Sequence, residues 1–198
     1  MRKNLLTSVH AVTVLSIASG LALFASHNVL ANPPNSFSAV DMVQLENEMV
    51  IGDALGASTL IRDNKGATGT IHVGDLPANV QVFSVWALAF NNPAACVAIP
   101  CNPGIDAGPA DLSIFWVAGG IASSSNGFDA GVLNLEFRIE RKRPPGFVIP
   151  AFSPDGLTNV AGAEIHIVVA PHPEATPGNV AFPLTHPAGA IRGAVHLP

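Results

Sequence analysis

The stretch Val80-Gln81-Val82-Phe83-Ser84-Val85-Trp86-Ala87-Leu88-Ala89-Phe90 constrains the fold more than any other part of the chain. At roughly 3.3 Å per residue it outruns an ordinary strand. Val80, Val82, Trp86, Leu88 and Phe90 fall on one side of such a strand, and Phe83, Val85, Ala87 and Ala89 on the other. A strand that is apolar on both faces has to be covered on both. Here a second sheet is expected on one side and loops or a partner on the other.

What precedes this stretch points to export. The chain opens with Arg2 and Lys3, runs apolar from about Leu5 to Phe24 without an acidic residue, and then reads Val29-Leu30-Ala31. A basic start, an apolar middle and small residues at a cleavage site make a secretory signal, with cleavage expected after Ala31. There is no twin arginine, and the residue after the cut is Asn32, so a lipid-anchored product is not expected. Residues 32–38 read as a flexible tail and residues 39–198 as one domain. Beyond residue 31 there are seven basic and fourteen acidic residues, a net charge of −7. That balance excludes nucleic acid as a partner, because phosphates demand a basic surface.

The two cysteines, Cys96 and Cys101, sit in one loop of a chain destined for an oxidising compartment, which makes a disulfide the expectation. Redox pairs are spaced by two residues at a helix start, whereas Pro100 and Pro103 argue against a helix here. The remaining pattern is that of an antiparallel β-sandwich of seven or eight strands with two long Pro- and Gly-rich loops. Val40–Ile51 reads as a first strand. Asp63-Asn64-Lys65-Gly66 reads as the turn of a hairpin, with Gly66 supplying a positive φ. Asn91–Ala110 is the first long loop, and Asp111–Ile121 a strand ending at Gly119-Gly120. In Val132–Glu140 the residues Leu133, Leu135, Phe137 and Ile139 alternate with Asn134, Glu136, Arg138 and Glu140, the mark of a half-exposed strand. The second long loop, Arg141–Gly162, carries Phe147, Val148, Ile149 and Phe152, which are expected to lie over the outer face of a sheet. Ala163–Ala170 is a strand stopped by Pro171, with Ile165, Ile167 and Val169 inward and Glu164 and His166 outward. Ala190–Leu197 is the last strand.

Histidine supplies the candidate chemistry. His166 and His172 lie near the end of one strand and His186 in the loop that follows, with His72 on another strand. Imidazole is the commonest ligand for zinc and copper, and three of them meeting at one rim would suffice. Glu164 would orient His166 or act as a ligand. No His-x-His pair places two ligands on one strand face, and the His-Pro pairs at 172–173 and 186–187 also suit solvated loops. Hydrolysis finds no support, since there is no Gly-x-Ser-x-Gly elbow and Ser123-Ser124-Ser125 reads as a turn. Gly119-Gly120 does not form a phosphate-binding loop, and no carboxylate pair is singled out by spacing.

Two segments together carry a resemblance: Val85-Trp86 through Phe90-Asn91-Asn92-Pro93 to Cys96 and Cys101, then Ala163-Glu164-Ile165-His166-Ile167-Val168-Val169 and His172. Over about Gly56 to Pro187 the chain resembles a family of secreted bacterial all-β proteins of uncharacterised function. The resemblance implies a secreted all-β domain and carries over no activity. The chordin-type repeat (CHRD), with its His-Ile-His-x-Gly strand, is partly echoed by Glu164-Ile165-His166. Taken together, the sequence predicts a secreted or periplasmic, non-enzymatic β-sandwich that binds an envelope or extracellular partner and needs no cofactor. The alternative is a periplasmic copper or zinc protein using His166, His172, His186 and His72.

Overall fold

A computed structural model describes residues 36–46, 49–77, 79–141, 156–172 and 191–198. The expected signal and its cleavage site, the Phe147–Phe152 cover and His186 lie outside those residues.

The fold is all-β and antiparallel, as the alternation predicts. Its strands are β1 (Phe37–Glu46), β2 (Met49–Asp63), β3 (Gly66–Val73), β4 (Val82–Phe90), β5 (Leu112–Ile121), β6 (Phe128–Asp129), β7 (Val132–Glu140), β8 (Glu164–His172) and β9 (Ile191–His196). They form one sheet of nine strands in the order β5-β4-β8-β9-β1-β2-β3-β7-β6. The two layers expected of a sandwich are the two flanks of this sheet, which curls until β5 approaches β7. Phe83 of β4 stacks across the interior on Phe128 of β6, with ring centroids 6.0 Å apart. The enclosed core takes Met42, Leu60, Ile71 and Val73 from one flank and Phe83, Val85, Ile165, Ile167 and Val169 from the other.

The local reasons follow the sequence closely. The hairpin between β2 and β3 turns at Asn64-Lys65, where the Asp63 carboxylate accepts the Lys65 and Gly66 amides at 2.7 and 2.9 Å. Gly66 is required twice over. Its φ is +152°, and a Cβ there would lie 2.1 Å from the Ile139 carbonyl oxygen of the neighbouring strand. In β7 the outward residues Asn134, Glu136, Arg138 and Glu140 are exposed, and Leu133, Phe137 and Ile139 are buried. Four expectations need correction. Val40–Ile51 is not one strand: β1 ends at Glu46 and β2 begins at Met49, and Gln44, Leu45 and Glu46 pair with Ile51, Val50 and Met49. Phe37 and Ser38, read as tail, already belong to β1, because their partners Ile61 and Leu60 are in place. Pro171 does not stop β8, which runs on to His172. β9 pairs with β8 only as far as Val169, so the missing proline N–H falls where the strand has a single neighbour. Pro103 opens a helical turn, Pro103–Asp106, rather than forbidding one, since the first helical position needs no amide donor; the Asn102 side chain caps it by accepting the Gly104 amide at 2.7 Å.

The inward faces of β1, β2 and β9 end in polar groups. The Arg62 guanidinium is buried on the same face of β2 as Leu60 and donates to four backbone carbonyls: Val160 (3.1 Å), Ala163 (2.7 Å), His196 (3.3 Å) and Leu197 (3.2 Å). Desolvation lowers its pKa to about 10, so it remains a cation at neutral pH. Beside it the buried His196 ring is bonded through Nδ1 to Ser38 Oγ (2.8 Å) and through Nε2 to Ser58 Oγ (2.9 Å). Burial first, then the charges of Arg62 and His166, push His196 down to about 4.

Two outcomes are expected. His196 stays neutral in the folded protein while it gains a proton in the unfolded chain below its ordinary value of 6.5. Its contribution is therefore intact above that pH and fades as pH falls toward about 4, amounting to a loss of about 2 kcal/mol by pH 5. Urea unfolding at pH 7.5 and pH 5 should show this loss, and His196→Gln should remove most of it. Arg62→Ala should cost about 2–4 kcal/mol, because buried carbonyls lose their donors, and Arg62→Lys should recover little of that, because one ammonium cannot fork to four acceptors. Thermal melts of the two variants measure it.

Candidate functional site

The outer face of β4 is where the chain builds a second, smaller interior. Phe90 and Leu88 from β4, Leu112 and Ile114 from β5, and Cys96, Cys101 and Ala110 from the first long loop pack together there. This is the two-sided cover expected of the apolar strand, and the loop supplies it. The loop is held by the Cys96–Cys101 disulfide, with Cα atoms 5.4 Å apart. It is also held by the buried Asp106 carboxylate, which accepts the Val97 amide (3.0 Å) and the Asn102 amide (2.8 Å). Asn91 fixes its base. The amide of Asn91 donates to the carbonyls of Asp111 and Gly156, both at 3.0 Å, and its oxygen accepts the Thr158 and Asn159 amides at 2.9 and 3.3 Å.

Beneath the loop lies the Glu164–His166 pair. Both residues are on the outer face of β8, opposite Phe90 and Leu88 of β4. Glu164 is fully buried. Its Oε1 accepts the Cys101 amide at 2.6 Å and lies 2.5 Å from His166 Nε2. Oε1 already serves as an acceptor for a backbone amide, so the proton of the His–Glu contact is assigned to Nε2. Oε2 has no hydrogen-bond partner among the described residues, a rare condition for a buried polar atom and one that calls for an explanation. The His166 ring leans on Phe90 with centroids 5.0 Å apart and keeps 12% of its side-chain area exposed.

That exposed portion lines a cleft of about 350 Å³. Pro100, Cys101, Asn102 and Pro103 of the stapled loop form one wall; Leu88, Val168, Val195, Ile191 and Leu45, from β4, β8, β9 and β1, form the rest. A second hollow of about 290 Å³ continues over β1 and β9 and shares His166, Val168 and Pro100. The cleft is thus mostly hydrocarbon, with one carboxylate-oriented imidazole in its surface. Such a pair can accept or deliver a proton, or offer one nitrogen to a ligand.

Of the histidines singled out from the sequence, the three among the described residues do not converge. His166 and His172 share a face of β8 but stand six residues apart, roughly 20 Å along the strand. His172 is buried, with Nε2 2.8 Å from Ser84 Oγ, which also accepts the Trp86 indole N–H at 2.9 Å. His72 on β3 is exposed and pairs across to Asn134 on β7 at 2.6 Å. Among the described residues, the grouping of three His, Cys, Asp or Glu atoms at metal-binding distance is Cys96, Cys101 and Asp106. Its two sulfurs are joined to each other and its carboxylate already accepts two amides, so it is a loop staple and not a metal centre. Glu164 and His166 are hydrogen-bonded to each other on the outer face of β8. Sequence reasoning gave no structural role to Asn91, Asp106, Arg62 or His196. For Arg62 a signal existed, since it shares the parity of Leu60.

No protein-family model, no curated protein and no solved structure matches this chain. Among the described residues no helix is long and apolar enough to cross a membrane.

The disulfide is predicted to matter for the pair as well as for the loop. Closing so short a loop stabilises the fold by about 2 kcal/mol in the chain-entropy model. Replacing both cysteines by serine should lower stability by that amount, and should also raise the hydrogen-exchange rate of the Cys101 amide, which Glu164 holds. An unchanged Cys101 exchange rate in the double variant would separate the loop from the Glu164 anchor.

Proposed function

We propose that this chain is an exported, non-enzymatic β-domain of the bacterial envelope or extracellular space, and that it acts by holding an apolar group in the cleft under its disulfide loop. The observation that carries the reading is the cleft itself. It is concave and mostly hydrocarbon-lined, with two polar side chains, His166 and Asn102, which is the usual make-up of a small-ligand site. The loop beside it is stapled rather than loose, so the wall is preformed and binding orders little chain. Three apolar side chains at the loop surface, Val97, Ile99 and Ile105, are 82%, 52% and 65% exposed, which suits a segment that meets a partner.

Several features favour binding over catalysis and over a metal. Among the described residues the Glu164–His166 pair is bonded to a backbone amide and to no hydroxyl or thiol that could serve as a nucleophile. As metal donors these two would still need a third, and His172 and His72 are turned to other partners. Export rests on the basic start, the apolar run and the Val29-Leu30-Ala31 site, together with a disulfide that belongs to an oxidising compartment. The resemblance to secreted bacterial all-β proteins belongs to the same reading.

The test is made on protein recovered from the cells that export it. Mass spectrometry should find a chain starting at Asn32 with Cys96 and Cys101 oxidised. Organic extraction should release a small apolar compound that is missing from the folded variant Val168→Trp, in which an indole fills the cleft. Retention in the cytoplasm with free thiols, or identical extracts from the two proteins, would refute the proposal.

A further inference from the structure

The cleft also specifies what its ligand must carry, and this inference rests on the binding reading above. With Nε2 protonated toward Glu164 Oε1, the neutral His166 ring has its lone pair on Nδ1. Nδ1 makes no hydrogen bond among the described residues, and the ring is partly open to the cleft. Asn102, the other polar side chain on the wall, has its oxygen committed to the Gly104 amide. The hydrogen-bonding demand that His166 presents to an occupant is therefore that of an acceptor. Glu164, wholly buried, fixes that orientation by holding Nε2 through Oε1.

Size narrows the ligand further. A volume of about 350 Å³ corresponds to roughly twelve waters at about 30 Å³ each, which is room for a ring or a short chain and not for a folded segment. Leu88, Val168, Val195 and Pro100 gain from a hydrocarbon body, and nothing in that set would compensate a buried charge. We propose that the cleft is a binding site for a small, largely hydrocarbon molecule bearing one hydroxyl, a phenol or a compact alcohol, whose O–H donates to His166 Nδ1.

The donor requirement is what the test addresses. The mature protein, isotope-labelled, is titrated with p-cresol, with 4-methylanisole, which keeps the body but has no donor, and with toluene. The methyl signals of Leu88, Val168 and Val195 and the His166 ring are followed by NMR. p-Cresol should saturate these shifts and bind about tenfold more tightly than 4-methylanisole, the worth of one good hydrogen bond. In His166→Phe, which keeps an aromatic ring against Phe90, the preference should vanish while toluene still binds, and retained toluene binding shows that the variant is folded. The proposal is overturned if p-cresol and 4-methylanisole bind equally to the unaltered protein, if the preference survives in His166→Phe, or if one equivalent of Zn²⁺ or Cu²⁺ shifts His166 and excludes p-cresol. Saturable toluene binding without any preference would remove this inference and leave the binding reading standing. Failure of all three probes, with Val168→Trp also without effect on the extract, would remove both.

Discussion

Little of β4 is left to water, and much of the remaining architecture answers to that. Its two edges are taken by β5 and β8, its inner face by the main core, and its outer face at Leu88 and Phe90 by the stapled loop. Covering the outer face places a loop over the sheet, and a loop brings backbone amides that need acceptors once they are buried. Glu164 and Asp106 are those acceptors: one takes the Cys101 amide from below, and the other takes the Val97 and Asn102 amides from within the loop. A buried carboxylate needs compensation in turn, and His166 is the neighbour that supplies it. The pair in the cleft is thus a physical consequence of roofing an apolar strand with a hydrogen-bonded loop.

The opposite face of the sheet meets a related demand with a buried cation and a neutral imidazole. Arg62 gathers carbonyls from the 160–163 turn and from the end of β9, and His196 bridges serines of β1 and β2. The guanidinium suits this role because it is a planar fork of donors whose charge survives desolvation. These contacts tie the 156–163 segment to β2 and β9, while Asn91 ties the same segment to the loop base. One short stretch of chain therefore connects the outer cover to the inner polar groups.

Much of the fold was legible because alternation is a local property. Val132–Glu140, the Asp63–Gly66 turn, the paired cysteines and the double-faced Val82–Phe90 could each be read from their own residues. Strand order could not, since nothing in Ile191–His196 announces that it lies between β8 and β1. His166 and His172 lie apart for a geometric reason. Nearness in sequence along a strand means distance in space, so His166 and His172 diverge although only six positions separate them. Glu164 and His166, two apart on one face, are the spacing at which strand neighbours do meet. Asn91 was visible only as part of an Asn-Asn-Pro pattern, and three of its four side-chain hydrogen bonds depend on the 156–159 segment returning from far along the chain.

The position of β9 has a kinetic meaning. It is the seam of the sheet: it joins β8 through the Ile165–Val169 ladder and β1 through Val43–Leu45, whose partners stand about 150 residues away in the chain. Before residues 191–196 arrive, β5-β4-β8 and β1-β2-β3-β7-β6 are separate sheets, each with an open edge at the join. Loop-closure entropy makes such distant pairing a late and slow event. A chain built this way closes its sheet only after residues 191–196 have arrived.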